Sequence, residues 1–418
     1  SKFFKLSYKE NYIFFSPIIG TYISIFIIYI LINLGLGKYS IKFFGYLFFL
    51  LGIINIFYLY KKIIIFFKKN NLNLNLIISL IIITFLGLWL MSLSPITHVD
   101  SLHYHVTGAL NLLNHGNFQT EILPMDTNLV FIGEIILAIG FSLKAEQFGA
   151  LIQFSSLLSL IPLFKNKKDN NYFILQLILI TPITLFLVSS PKPQLLYSIA
   201  SLLIFALLVN FNKFSKYNLK IIFPIICLIL ALNGLVKYTF VLSSTLLGLY
   251  SLYLMQKRGL FLYSIMAVLV VFILTFLPSW YFRYFNFDTQ FLDLILGPLP
   301  LNIYGYQGHH DLLSGGSISI LGLLIPESFK HFTNSYGPIL LISLFLINKK
   351  IASYKIPLFI IALFLGAVLI FGSNMPRFLF EGYIWFLYLI SRVLDKKGKS
   401  YKIFSTAIYL QSIIIIFI

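Results

Sequence analysis

A chain of 418 residues that is 59% hydrophobic, 17% aromatic and only 11% charged, with a mean hydropathy of +0.92, is too apolar for a soluble domain built around one core. Its apolar stretches are apolar all round rather than alternating, which excludes an outer-membrane barrel, a secreted enzyme and a cytosolic oxidoreductase, and leaves an all-α polytopic membrane protein. The 31 Lys and Arg against 13 Asp and Glu, a formal net charge of +18, would suggest nucleic acid in a soluble chain. In a membrane protein the side on which the cations lie carries the meaning, and no nucleic-acid partner is expected. The single cysteine, Cys227, excludes an internal disulfide. No small-residue cleavage site precedes the first apolar run, so that run reads as an uncleaved anchor.

In chain order, spans are expected at 13–36, 44–60, 76–96, 146–164, 172–190, 194–211, 221–236, 238–255, 260–279, 336–348, 356–373, 378–394 and 403–418, about 13 transmembrane helices. With the N-terminus cytoplasmic, 23 of the 31 Lys and Arg fall on the inner side, a strong positive-inside bias. All seven histidines and ten of the thirteen carboxylates then lie on the outer side or in its flanks. The whole chain, 1–418, reads as a single integral membrane domain without internal repeat, with two long outer loop regions at 97–145 and 280–335. The run Phe131–Leu143, interrupted by Glu134, is too short to span and is expected to lie on or partly enter the outer membrane face.

Polar groups crowd into Thr97-His98-Val99-Asp100-Ser101-Leu102-His103-Tyr104-His105, where the third span emerges. Leu102, Val106, Leu110 and Leu113 keep helical spacing up to Gly116, so an amphipathic helix is expected from about Ser101 with Asp100 at its N-cap. Asp100 is then either a helix cap alone or a general base, with His103 one turn on and His105 or Tyr104 beside it. Lys192, Lys237, Arg283 and Arg377 each fall at an outer helix end, where they either snorkel to lipid headgroups or meet an anionic substrate. The second outer loop carries Tyr304-Gly305-Tyr306-Gln307-Gly308-His309-His310-Asp311, read either as a pliable acceptor loop whose His309 and His310 bind substrate or as an interfacial loop with aromatic anchors. Neighbouring histidines raise a divalent metal as an alternative, but they lack ligand spacing and no Cys pair exists; no metal ligands are assigned and no cofactor is expected.

With this topology, the chain from residue 76 onward resembles the GT-C superfamily of membrane glycosyltransferases, which includes protein mannosyltransferases and lipid A aminoarabinose transferases. The likeness is carried by Asp100 followed by Tyr104 and His105, by Leu123-Pro124-Met125 and the run through Glu134, by Asn233-Gly234-Leu235-Val236-Lys237, and by Met375-Pro376-Arg377-Phe378-Leu379-Phe380. Three features depart from the family: a second span ahead of the acidic loop's own, a single Asp instead of an acidic pair, and no soluble C-terminal domain. The resemblance implies a GT-C-like fold with interfacial helices in two periplasmic loop regions. It also implies an inverting transfer of a sugar from a polyprenyl-phosphate donor to a lipid, glycan or protein acceptor, with Asp100 as base.

Such a donor carries its own leaving group, so the chemistry needs a base for the acceptor hydroxyl and cations for the departing phosphate. Tyr104, Glu134, Lys192, Lys237, Arg283, His309, His310 and Arg377 are the expected substrate-binding residues, beside the catalytic candidates Asp100, His103 and His105. Membrane lipids are the surrounding partners. The expected location is a bacterial inner (plasma) membrane, with the site facing the periplasm. Two rivals are a lipid flippase or transporter, which calls for ionisable groups within spans and internal symmetry, and a ligase for pyrophosphate-linked glycans, which calls for paired outer cations.

Overall fold

The computed structural model describes residues 12–69, 76–97, 101–118, 132–164, 172–237, 239–287, 322, 335–337, 343, 349–371, 376–394 and 399–417. Backbone amides and carbonyls cannot go without partners in lipid, so a chain this apolar satisfies them within helices. No strand occurs among the described residues.

Helices α1 (Tyr12–Asn33), α2 (Gly37–Lys69) and α3 (Leu76–Ser92) come first. A π-helical turn, Ser101–Val106, runs directly into α4 (Thr107–His115), which ends at Gly116 with a left-handed φ of 77°. Three short helices follow: α5 (Ile135–Ser142), α6 (Phe148–Leu157) and α7 (Leu160–Phe164). Helices α8 (Tyr172–Leu179) and α9 (Pro182–Ser189) form one apolar path bent by 60°. Pro182 lacks the amide that would continue α8 into α9, and Thr181 Oγ1 donates to the Leu177 carbonyl at 2.7 Å at the break. Then come α10 (Leu195–Val209), α11 (Lys216–Val236), α12 (Thr239–Lys257), α13 (Phe261–Phe287), α14 (Lys355–Phe371), α15 (Pro376–Val393) and α16 (Lys399–Phe417).

The chain is thus all-helical over its described residues. Five segments are long and apolar enough to cross a membrane: Phe14–Asn33, Gly37–Ile54, Lys216–Val236, Phe261–Asn286 and Lys350–Ile370. The bent pair α8 and α9 makes a sixth if it is one span. These are the features of a multi-pass membrane protein. Of the other expected spans, several coincide with shorter apolar helices, Leu76–Ser92, Phe148–Phe164 and Leu195–Val209. The expected span at 336–348 lies almost wholly outside the described residues. One expectation is corrected. The run around Glu134 is not laid on a surface, because Ile132 to Gly140 are all buried and α5 packs against α1, α2, α4 and α6. Its first six residues are covered by protein, which is why the run is apolar on every face.

Helix α10 is the centre of the bundle. Every residue from Leu195 to Leu208 is buried, and its neighbours include α6, α11, α12 and α15. It runs parallel to α15, since contacts climb together in sequence: Gln194 to Arg377, Ser201 and Phe205 to Trp385, and Asn210 to Tyr388. The Phe205 and Trp385 rings stack at 5.3 Å with 7° between planes. Lys192 and Arg377 therefore share one end of this pair, and Lys213 and Arg392, which both bond to Asn210 Oδ1, share the other.

Trp385 is fully buried, so Trp385→Ala should remove the stack and leave a cavity worth about 3–5 kcal/mol. A lowered thermal unfolding midpoint in detergent, partly restored in Trp385→Phe, is the expected result.

Candidate active site

Five pieces of chain meet at the N-terminal end of α10. The first is the π-helical turn, whose wider winding is a frequent feature of functional sites. It buries Ser101 and His105. The second is the turn ahead of α5, which carries Glu134. The third is the extended link 190–194 between α9 and α10. The last two are the C-terminal end of α11 with Lys237, and the first turn of α15 with Arg377.

Specific bonds hold them together. His105 Nδ1 donates to Glu134 Oε1. Ser101 Oγ lies 3.1 Å from Ser190 Oγ, which in turn accepts from the Lys192 amide at 3.3 Å. Gln153 Oε1 of α6 accepts from the Leu196 amide at 2.7 Å and so caps the start of α10. Gln194 Nε2 donates to the Arg377 carbonyl at 2.7 Å. Gly133 has to be glycine here, because a Cβ would lie 2.6 Å from the Pro193 ring and 3.1 Å from Val236. That close approach seats Glu134 against both the 190–194 link and the end of α11.

The pair His105 and Glu134 is nearly without solvent contact, at 2% exposure each, and Lys192 is 1% exposed. Lys192 Nζ stands 5.2 Å from the Phe186 ring centroid. Lys237 Nζ and the Arg377 guanidinium approach the single ring of Phe378 at 5.4 and 5.0 Å. Burial pushes the His105 imidazole below its ordinary value. Its hydrogen bond to Glu134 and that carboxylate's charge pull it back up, while the charges of Lys237 and Lys192 push it down again. The net direction is down, so the ring is neutral at neutral pH, with Nδ1 turned to Glu134.

The site continues inward along α10. Gln194, Tyr197, Ser198 and Ser201 are spaced i, i+3, i+4, i+7 and form one stripe. The Tyr197 ring meets Tyr22 of α1 edge-on at 5.7 Å. Tyr22 OH donates to Asn233 Oδ1 of α11 and is coupled to Glu381 of α15. Glu381 lies beside Ser201 and Ser243. Among the described residues, Glu134 Oε2, Gln194 Oε1, Tyr197 OH, Ser198 Oγ and Glu381 Oε1 are buried oxygens with no hydrogen-bond partner. A buried polar atom left so costs about 1–3 kcal/mol, and a cluster of them calls for water or ligand.

Of the residues expected from sequence, the structure brings together His105, Glu134, Lys192, Lys237 and Arg377. Asp100, His309 and His310 lie outside the described residues, as do the side chains of His103, Tyr104 and Arg283. The backbone of His103 and Tyr104 belongs to the π-helical turn, and that of Arg283 to the C-terminal part of α13. The helix expected from about Ser101 does begin there, as a π-helical turn. The α-helix proper starts after Val106, because the π-helical turn occupies 101–106. No group of three or more His, Cys, Asp or Glu able to hold a metal occurs among the described residues.

Sequence reasoning missed Tyr22, Tyr197, Glu381 and the linking role of Asn233. Glu381 had a signal, as a carboxylate one turn inside the outer end of an expected span. Tyr22 and Tyr197 had none among 26 tyrosines.

Because the folded-state pKa of His105 is lowered, protonating it opposes folding. The stability it allows is present above the usual imidazole range and is lost as pH falls through and below that range. The unfolding midpoint should therefore fall from pH 7.5 to 5.5, and His105→Gln should flatten that slope whatever it does to the midpoint itself.

The family model described as the DUF1420 N-terminal domain matches residues 51–418, most of the chain and all of the site apart from Tyr22. No curated protein and no solved structure matches the chain.

Proposed function

The chain belongs to the DUF1420 N-terminal domain family, and we propose that it is a membrane glycosyltransferase with a GT-C-like arrangement of about thirteen spans. It moves a sugar from a polyprenyl-phosphate donor to a lipid, glycan or protein acceptor. The observation that carries this reading is the buried His105–Glu134 pair with Lys192, Lys237 and Arg377 gathered around it from separate parts of the chain. A pair that can orient the acceptor and several cations for the departing phosphate at one spot are what the transfer requires beside its base.

In this reading the acceptor oxygen attacks the anomeric carbon, the bond from that carbon to the phosphate oxygen breaks, and the phosphate leaves with the electron pair. Asp100, which directly precedes the π-helical turn, takes the acceptor proton. His105, fixed by Glu134, orients the acceptor, with His103 and Tyr104 alongside. Lys237 and Arg377, with Lys192 and Arg283, balance the charge that grows on the leaving phosphate. A single displacement inverts the anomeric centre. His309 and His310 belong to the acceptor loop, and no cofactor takes part.

The location follows from charge. Lys213 and Arg392 cluster at the opposite end of α10 and α15 from Lys192 and Arg377. Lys213 and Arg392 belong to the 23 of 31 Lys and Arg that the expected topology puts on one side, and placing that side in the cytoplasm supports a bacterial inner membrane with the site facing the periplasm. Reporter fusions at Lys168 and Lys397 should then give cytoplasmic signals, and fusions at Asn117 and His309 periplasmic ones.

Two observations favour other readings of the same site. A buried Glu381 within a span suits a transporter or flippase. Lys237 and Arg377 sharing one ring suit a ligase that takes a pyrophosphate-linked glycan. Transfer of labelled sugar by purified protein in detergent, where transport cannot be scored, separates them when both monophosphate and diphosphate donors are offered. Asp100→Asn should lower turnover by roughly two or more orders of magnitude with donor binding near normal. Lys237→Met and Arg377→Gln should depress the rate at saturating donor as well as binding. Full activity in Asp100→Asn would remove Asp100 from the reaction. No product with any donor, with labelled lipid crossing sealed vesicles, would replace the enzyme by a flippase.

A further inference from the structure

Glu381 plays no part in the reaction just described, yet it is 3% exposed and sits at the inner end of the polar stripe of α10. Its surroundings offer it few protons. Ser201 Oγ donates to the Ser198 carbonyl at 2.8 Å and receives the Trp385 indole N–H at 3.2 Å, and Ser243 Oγ donates to the Phe240 carbonyl at 3.1 Å. Each serine has a single proton, so neither serves both a helix carbonyl and the carboxyl group at once. Glu381 is short of donors in the described structure.

The same shortage runs up the seam. Glu134 Oε2, Glu381 Oε1 and Gln194 Oε1 are acceptors, and the hydroxyls of Tyr197 and Ser198 both accept and donate. From Gln194 to Ser201 the helix rises about 10 Å. Arg377 and Glu381 are four residues apart, so the cation at the mouth and the acid at the bottom lie on one face of α15. The paired rings of Tyr22 and Tyr197 line the middle.

We propose that this seam between α10 and α15 is the subsite for a hydroxyl-rich group attached to the phosphate that Arg377 and Lys237 hold, with Glu381 binding the hydroxyls furthest from that phosphate. The inference rests on the reading of these cations as phosphate-binding, and adds where the sugar goes and what recognises it. Sugar hydroxyls supply the donors that the carboxylates and the amide lack, and the tyrosine rings supply flat apolar faces for the carbon skeleton. Entry requires the Gln194 to Arg377 clasp at the mouth to part.

The test compares bare polyprenyl phosphate with polyprenyl phosphates carrying a hexose, an N-acetylhexosamine or a pentose, titrated into full-length protein in detergent. In wild type at least one sugar lipid should bind ten or more times tighter than bare lipid. Glu381→Gln should bring that ratio to within about twofold while bare-lipid affinity stays unchanged. If Glu381→Gln does not fold, Ser198→Ala, which deletes one hydroxyl without a described partner, should cut the ratio at least threefold at an unaltered unfolding midpoint. No sugar preference in wild type would mean that water alone fills the seam, and an unchanged ratio in the variants would overturn the role of Glu381. Sugar transfer is scored separately. Preference without transfer keeps the seam and defeats the transferase, whereas transfer indifferent to Glu381 and Ser198 defeats the seam.

Discussion

A helix with no face toward lipid or water has to pair its polar side chains with its neighbours, and α10 is such a helix. That constraint organises much of the bundle. Tyr197 and Ser201 draw Tyr22, Asn233, Trp385 and Glu381 from α1, α11 and α15 into a single seam. Gln194 and Asn210, at the two ends, tie the same helix to the first turn of α15 and to Tyr388 near its last. An apolar helix in this position would pack as well but would leave the register between α10 and α15 to shape alone, since close-packed aliphatic side chains distinguish neighbouring registers weakly compared with hydrogen bonds that are costly to leave unmade.

Registering α10 against α15 also decides the electrostatics. Arg377 lies beside Gln194, two residues after Lys192, so two cations arrive at the same end. The Gly133 contact with Pro193 and Val236 brings Glu134 to that end, and the His105 bond to Glu134 pulls the π-helical turn in after it. The cationic side chains gain from the aromatic rings beside them and from the carboxylate, which compensates part of the cost of holding charge near low-dielectric surroundings. Glu134 also answers for His105: without its pull, burial and two lysines would leave the ring with nothing to favour its charged form.

How much of this the sequence could reveal depended on the kind of signal each residue leaves. Lys192, Lys237 and Arg377 stood out because charge is rare here, only 11% of residues, and because each sits at a helix end. The length of the apolar runs placed α1, α3, α11 and α14 within a few residues for the same reason of contrast. The site's own helices were harder. The run around Glu134 is apolar on all faces whether lipid or protein covers it, so its composition could not distinguish a surface helix from a buried one, and burial by α1, α2, α4 and α6 decided it. The π-helical turn was read as α-helix because Leu102, Val106 and Leu110 keep the spacing in either case. Tyr22 and Tyr197 are ordinary in sequence and matter only through what the tertiary fold sets opposite them.

The depth of Glu381 links the seam to the choice among functions. A carboxylate inside a bundle is held there at a cost, and chains retain such groups where they meet ions, protons or polar ligands. An ion path would need polar groups reaching from one end of the bundle to the other. Below Glu381 the α10–α15 contact turns apolar, with Phe205 against Trp385 and Tyr388, and Phe164 against Tyr388, before polar bonding resumes at Asn210. The polar stripe is therefore closed beneath Glu381 by packed rings and begins at the cations above it. On the proposed reading, a seam closed at one end takes a ligand that enters and leaves by the other. That suits the headgroup of an enzyme's lipid substrate better than cargo that has to pass through.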